Sequence, residues 1–163
     1  MKERAAQVQR VIEGLRDELK RLNTELTAVI PKELEKARAY GDLTDNAEYQ
    51  STKERQAFVE MRVSQLNRRL SELTRLRLDT LPREAVGLFS RVVLEDDDGA
   101  VYDYTLVLPE MVDQQPGFLS VSAPRAQVLL GKAPGDRVRL PTDRGPVEAD
   151  ILRLINPWGE EVE

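Results

Sequence analysis

Two carboxylates, Asp42 and Asp45, lie in a short stretch, GDLTDNAEY at residues 41–49, that interrupts two long helical patterns. Carboxylate oxygens are hard ligands that suit magnesium or calcium. The chain contains no Cys and no His, which excludes disulfides, thiolate ligands and the usual imidazole base or ligand. Any metal site in this chain must therefore use oxygen ligands.

A pair of carboxylates cannot complete a magnesium site, because the ion takes six oxygens in near-octahedral geometry. An exposed pair would hold the ion weakly and would act inside a site that supplies the remaining ligands. In a two-metal site, with ions about 3.5–4 Å apart, such a pair could secure the second ion. Structural alternatives stay open: Asp45 followed by Glu48 resembles a capping box, so Asp45 could be a helix N-cap, and Asp42 could be a turn residue.

The flanking segments must position this stretch. Apolar residues recur in steps of four and three on both sides of it: Val8, Ile12, Leu15, Leu19, Leu22, Leu26 and Val29 before it, and Val59, Val63, Leu66, Leu70 and Leu73 after it. This heptad pattern predicts two helices of about 30 residues, each about 45 Å long. Phe58, Met61 and Leu76 are expected to widen the second apolar face, and Pro31 is expected to kink the first helix.

Gly41 suits the left-handed residue that ends a helix. We therefore predict an antiparallel coiled-coil hairpin over residues 1–78, with an acidic tip at 41–49. The alternative is a dimer in which each heptad seam faces a second subunit. A breaker midway between two similar runs favours pairing within one chain.

Residues 79–87, which include Pro82, break the helical period and are predicted to be a linker. The remainder, 88–163, is predicted to be an antiparallel sheet with one short helix, so the fold class is α+β. Strands are expected at 88–94, 101–108, 118–121, 138–140 and 147–155, with a hairpin turn at Asp98-Gly99 and a helix at 125–130 ended by Gly131. The acidic run at 95–98 lacks calcium-loop spacing, and we expect a solvated turn there.

The charge distribution differs between the two halves of the 163-residue chain. Residues 84–163 hold 7 basic and 15 acidic residues, whereas residues 1–83 hold 17 basic and 14 acidic residues. The net charge of −5 argues against independent, high-affinity binding to duplex nucleic acid. No apolar run is long enough to span a bilayer, and the first residues lack the apolar core of a signal peptide. We therefore expect a cytoplasmic protein.

The stretch ARAYGDLTDNAEYQSTKERQAF resembles the signature of the bacterial Gre transcript cleavage factors, which is close to AR-x-x-GDL-x-[ED]-NAEY-x-x-x-[KR]-E. Asp45 fills the acidic position, Arg38 and Lys53 match the flanking basic positions, and the tip motif is matched by Gly41, Asp42, Leu43, Asn46, Ala47, Glu48 and Tyr49. Further along, VSAPRAQVLLGKAPGDRVRL and TDRGPVEADILRL are similar to other family segments, with departures at Ala123 and Leu108.

This resemblance implies a coiled coil followed by a domain of FKBP-like fold that docks on the rim of the secondary channel of bacterial RNA polymerase. The coiled coil then places Asp42 and Asp45 beside the polymerase's own Mg²⁺, where they help to hold a second Mg²⁺. The polymerase, not this chain, cleaves the backtracked RNA 3′ end. Arg38 and Lys53 become candidates for contacting that RNA, or else solvated helix charges. A monomer is expected.

Two other functions remain open at this stage. The resemblance also allows an inhibitory channel binder, because the family includes members that inhibit polymerase without stimulating cleavage and carry altered tips. The retained GDLTDNAEY favours the cleavage-stimulating type. The second possibility is a coiled-coil adaptor with no link to polymerase.

Overall fold

A computed structural model describes residues 1–41 and 46–163. The chain divides into two compact units, which we call the hairpin unit, Val8–Leu76, and the sheet unit, which combines Met1–Gln7 with Arg77–Glu163. The predicted linker at 79–87 falls within the sheet unit in this division. It includes part of a short 3₁₀ helix, Leu78–Thr80, and the buried Val86.

Long helices form the hairpin unit. Helix α1 spans Lys2–Thr24 and is followed by a π-helical turn, Glu25–Val29, and by α2, Ile30–Arg38. Helix α3 spans Ala47–Thr74. The predicted seam residues Val59, Leu66 and Leu73 are buried on α3, as the heptad spacing requires. No helix in the described ranges is long and apolar enough to cross a membrane.

The two arms of the hairpin pair antiparallel within one chain. Arg62 forms a two-point ion pair with Glu18, at 2.8 and 3.0 Å, and Arg55 does the same with Glu25, at 2.6 and 2.8 Å. Moving seven residues forward on α3, from Arg55 to Arg62, corresponds to moving seven residues back on the first arm, from Glu25 to Glu18, as antiparallel pairing requires. The predicted intrachain hairpin is confirmed, and the seam does not need a second subunit to cover it.

The heptad prediction is wrong at Val29, which is 44% exposed, while its neighbour Ile30 is fully buried. The π-helical turn explains the change. Ile30 donates its backbone N–H to the carbonyl of Glu25, five residues back, so the turn contains one extra residue and moves the inward-facing position along by one. Pro31 adjoins this turn and lacks the N–H that an α-helix would use. The predicted interruption therefore takes the form of a wide turn.

The apolar face of α3 is narrower than predicted. Phe58 and Met61 were expected to extend the buried face, but they are 52% and 53% exposed. They lie one and two positions away from the seam residue Val59, which directs them away from the partner arm. The Arg55 guanidinium lies 5.3 Å from the centre of the Phe58 ring, so part of that ring is covered by a cation–π contact.

The sheet unit contains six strands: β1 Arg91–Asp96, β2 Val101–Val107, β3 Phe118–Ser120, β4 Arg137–Leu140, β5 Val147–Ile155 and β6 Glu161–Val162. Its order is β3-β2-β1-β5-β4, with β6 also paired to β5. A 3₁₀ helix, Pro109–Gln114, follows β2, and the short helix α4, Pro124–Leu129, follows β3. The α+β class is confirmed. The sheet is mixed rather than purely antiparallel, because β2 and β3 pair parallel.

One apolar cluster holds the sheet unit together. It joins α4 to the inner face of four strands and consists of Val86, Val92, Leu94, Leu106, Ala126, Leu129, Val138, Leu140, Ala149, Ile151 and Leu154. Gly99 lies in the predicted turn between β1 and β2 with a φ of 81°, which glycine adopts at no steric cost. A β-bulge opposite Val93/Leu94 leaves Leu152 exposed.

The predicted solvated turn at 95–98 is only partly right, because β1 continues to Asp96 and only Asp97 and Asp98 lie in the turn, while Asp96 is buried. This residue is 9% exposed, and its carboxylate accepts hydrogen bonds from the backbone N–H groups of Asp98 and Ala100 and from the Tyr102 hydroxyl. These bonds, that from Ala100 first, lower the pKa of Asp96. The carboxylate therefore closes the turn between β1 and β2.

Candidate functional site

The end of the hairpin begins where α2 stops. Helix α2 ends at Arg38, and a turn of three residues follows, in which Gly41 has a φ of 115°. Among the described residues other than its chain neighbours, no atom lies within 4 Å of the place where a β-carbon on Gly41 would stand. The glycine is therefore required by its backbone angle and not by crowding, which confirms its predicted role as a breaker.

Asn46, not Asp45, is the N-cap of α3. The Asn46 backbone is extended, with φ −84° and ψ 99°, and its side-chain oxygen accepts a hydrogen bond of 3.0 Å from the backbone N–H of Tyr49. The predicted capping box of Asp45 and Glu48 is wrong, because the helix begins one residue later than it requires. Asp45 therefore loses the structural explanation that competed with its functional one.

The same side chain also reaches across to the other arm. The Asn46 amide nitrogen donates a hydrogen bond of 2.7 Å to the backbone carbonyl of Ala37, in the last turn of α2. The last four carbonyls of a helix have no partner within the helix, so this bond satisfies one of them. Asn46 therefore joins the two arms at the base of residues 38–45.

The two predicted RNA-contacting residues are both exposed. The Arg38 guanidinium lies 5.9 Å from the centre of the Tyr49 ring, and the Lys53 ammonium donates to the side-chain oxygen of Gln56 at 3.1 Å. Neither forms an ion pair with another described residue. Arg38 also ends α2, where the helix dipole favours a cation, and this is the structural alternative to an RNA contact.

The remaining tip residues fall into two groups. Asp42, Leu43 and Asp45 lie outside the described residues. Ala47 and Glu48 are exposed in the first turn of α3, while Tyr49 packs against the buried cluster of Ile30, Leu34 and Val59. The motif thus mixes residues that build the hairpin with residues that face outward, which its letters alone do not reveal.

An open groove of about 450 Å³ runs between α2 and α3 beside the tip. It is lined by three small residues, Ala37, Ala47 and Ser51, and by larger polar residues, Glu33, Lys36, Tyr40, Glu48 and Thr52. Tyr40 is 69% exposed. Sequence reasoning missed this groove because small residues on facing helices leave no signal in a hydrophobic pattern.

Two ion pairs stiffen the arms that carry the tip. The hydrogen bonds from Arg62 and Arg55 lower the pKa of Glu18 and Glu25 respectively, so both carboxylates stay charged at neutral pH. Within residues 1–41 and 46–163, no group of three or more acidic side chains is arranged to hold a metal ion.

Comparison with protein families gives matches over both units. The N-terminal domain of transcription elongation factors matches residues 8–74, and the C-terminal domain of GreA/GreB transcription elongation factors matches residues 81–156. The transcription elongation factor GreA of Nitratidesulfovibrio vulgaris is 37% identical over 86% of this chain and 88% of its own length. The GreA of Wolinella succinogenes is 36% identical over 87% of this chain and 88% of its own.

Among solved structures, the GreA factor homolog 1 (Gfh1) of Thermus thermophilus is 27% identical over 89% of this chain and 94% of its own, with a TM-score of 0.40. A GreA/GreB factor from Nitrosomonas europaea is 26% identical over 55% of this chain and 78% of its own length, also with a TM-score of 0.40. The sequence matches over both units, and not these structural likenesses, define the family. The chain belongs to the GreA/GreB family of transcription elongation factors.

Proposed function

We propose that this chain binds bacterial RNA polymerase, inserts its hairpin into the secondary channel, and stimulates cleavage of the backtracked RNA 3′ end. Asp42 and Asp45 would help to hold a second Mg²⁺ beside the polymerase's own. The chain is then an accessory factor, and the polymerase performs the chemistry. Docking of the sheet unit on the rim of the channel, and action as a monomer, are parts of the same proposal.

The N-cap of α3 is the observation that supports this proposal most. Asn46 holds the N-cap position that the sequence had assigned to Asp45, and the sequence places two carboxylates within four residues between the two arms. The seam is covered within one chain, which leaves the hairpin free to act as a single rod. Helix α3 has 28 residues, which corresponds to about 42 Å at 1.5 Å per residue. A rod of that length suits a narrow channel.

The donor chemistry also fits magnesium. Carboxylate oxygens match this hard ion, and two of them leave most of its six positions to water, RNA and polymerase. A second Mg²⁺ bound there would supply Lewis-acid activation of the attacking water and charge stabilisation. Arg38 and Lys53, on the two arms flanking the tip, would lie close enough to neutralise RNA phosphates.

A stalled, backtracked elongation complex with RNA labelled at its 5′ end tests the proposal. The chain should shorten the RNA, and Asp42→Asn or Asp45→Asn should slow shortening on the order of 100-fold, as does removal of one preorganised electrostatic stabiliser. Asp17→Asn makes the same chemical change at an exposed carboxylate on α1 and should leave the rate unchanged.

Polymerase binding must be measured on the same variants, because it separates the proposal from its alternatives. Binding that survives Asp42→Asn while shortening is lost supports a role for the pair in the reaction. A wild-type chain that binds and slows polymerase without shortening RNA is an inhibitory channel binder. A chain that does not bind polymerase at all refutes the proposal and leaves the adaptor.

A further inference from the structure

The groove between α2 and α3, which we call the arm groove, carries unpaired charges. Of the described residues that line it, Glu33 and Glu48 are acidic and Lys36 is basic. All three are exposed, and none forms an ion pair within the described part of the chain. The excess of negative charge attracts a cationic partner and repels a phosphate group.

The ring of Tyr40 adds a surface on which a cation can lie. It lines the same groove and is 69% exposed. The other two aromatic rings of the hairpin unit already have a guanidinium of this chain beside them: Arg38 lies 5.9 Å from Tyr49, and Arg55 lies 5.3 Å from Phe58. No described cation lies over Tyr40. Because the face of a tyrosine ring attracts cations, this ring can receive one from a partner.

The shape of the arm groove suits a side chain presented by another surface. Small residues on the two facing helices, Ala37, Ala47 and Ser51, leave a volume of about 450 Å³. This volume is within the usual range of ligand sites, about 300–1,000 Å³, but the groove is open rather than enclosed. A long side chain can therefore enter it from a neighbouring protein surface without any opening of the two arms.

The arm groove lies on a different side of the hairpin from the two candidate RNA contacts. Successive residues of an α-helix are about 100° apart around its axis. Arg38 is therefore about 200° around α2 from Lys36, and Lys53 is about 200° around α3 from Ser51. One side of the hairpin thus presents cations, and the other presents two carboxylates and an aromatic ring.

We propose that the arm groove binds a basic segment of the polymerase protein, with an arginine or lysine side chain over the Tyr40 ring and paired with Glu33 and Glu48. This inference rests on the proposed function, because it takes polymerase as the partner. RNA would then lie on the side of Arg38 and Lys53, and protein on the side of the groove. The contact supplies affinity and takes no part in the cleavage reaction.

The variant Glu33→Lys tests the proposal on polymerase that carries neither RNA nor DNA. It replaces an attraction by a repulsion, so the dissociation constant, measured on immobilised polymerase, should rise on the order of 10-fold or more. In a backtracked complex, the factor concentration that half-saturates RNA shortening should rise by the same factor. The maximal rate should remain that of the wild type.

Glu35→Lys is the matched control. Glu35 is exposed on the same helix, about 200° around it from Glu33, so the same change of charge there should not weaken binding to polymerase. An unchanged dissociation constant for Glu33→Lys, or equal weakening by both variants, would overturn the proposal, because the effect would then not belong to the groove.

Two variants of Tyr40 test the cation–π contact. Tyr40→Phe keeps the ring and should bind polymerase within about twofold of the wild type, whereas Tyr40→Leu keeps the apolar bulk without the ring and should bind about threefold to 30-fold more weakly. Equal binding by Tyr40→Leu and the wild type would overturn the assignment of a cation to this ring.

RNA is the competing occupant, and the same variants exclude or reveal it. If the groove held RNA, Glu33→Lys would tighten binding to the backtracked complex and leave binding to nucleic-acid-free polymerase unchanged; that result overturns the proposal. A wild-type chain that binds polymerase but shortens no RNA contradicts the proposed function, while weaker binding of Glu33→Lys still supports the groove. A wild-type chain that binds no polymerase overturns both.

Discussion

The π-helical turn gives a sharp test, because two adjacent residues exchange the roles that the heptad pattern assigns to them. The pattern places Val29 in the seam, whereas the structure buries Ile30 completely and leaves Val29 44% exposed. Replacing Ile30 with Ala removes three buried carbon groups at about 0.8 kcal/mol each and leaves a cavity. The expected loss is therefore about 2–5 kcal/mol in the free energy of unfolding.

Val29→Ala is the matched control and should change the free energy of unfolding by no more than about 0.5 kcal/mol, as is usual at exposed positions. Urea titration followed by circular dichroism at 222 nm measures both variants, because nearly all of the helix lies in the hairpin arms. Fluorescence of Trp158, in the sheet unit, shows whether that unit unfolds separately.

A larger loss for Val29→Ala than for Ile30→Ala would refute the reasoning, because it would mean that the uninterrupted heptad describes the seam. Equal and small losses would contradict it as well, since a fully buried isoleucine in a closed seam cannot be truncated without cost.

Two further predictions concern the hairpin. Arg62 lowers the pKa of Glu18 below its usual 4.5, so the stabilisation from this pair is present above about pH 4.5 and lost as pH falls through the lowered pKa. Glu18→Gln should thus cost up to about 1 kcal/mol at pH 7 and almost nothing near pH 2, by urea titration. Gly41→Ala should destabilise by about 1–2 kcal/mol because of its positive φ. Gly14→Ala, in the open interior of α1, should instead stabilise by about 0.5–1 kcal/mol; a stabilising Gly41→Ala would contradict the role of Gly41.

The heptad pattern predicted the hairpin well, because apolar residues that recur every 3.5 residues keep one face of each helix packed against its partner. It failed at Val29 because a one-residue skip is invisible until hydrogen bonds are known. Phe58 and Met61 were misplaced for a related reason, since hydrophobicity does not distinguish a seam residue from an exposed neighbour. Strand positions in the sheet unit followed from turn signals, but the parallel pairing of β3 depends on tertiary contacts.

At the tip, residue types predicted which groups could bind a metal, and the breaker role of Gly41 is confirmed. The N-cap was misassigned because Asp and Asn are equally good N-cap residues. The sequence does not show that α3 begins at Ala47 rather than one residue earlier. The bond from Asn46 to Ala37 had no sequence signal, since it joins residues on different arms. The capping preference of asparagine, weighed against that of aspartate, could have raised Asn46 as a candidate.

The location of the tip in the working complex is the central claim, and replacing Mg²⁺ with Fe²⁺ measures it directly. Peroxide then generates hydroxyl radicals at the metal, which cut nearby backbone. In a backtracked complex, we predict that this chain is cut within residues 41–49 and that Asp42→Asn together with Asp45→Asn abolishes the cuts. Cuts confined to the sheet unit, or an intact chain beside a cut polymerase, would contradict the account.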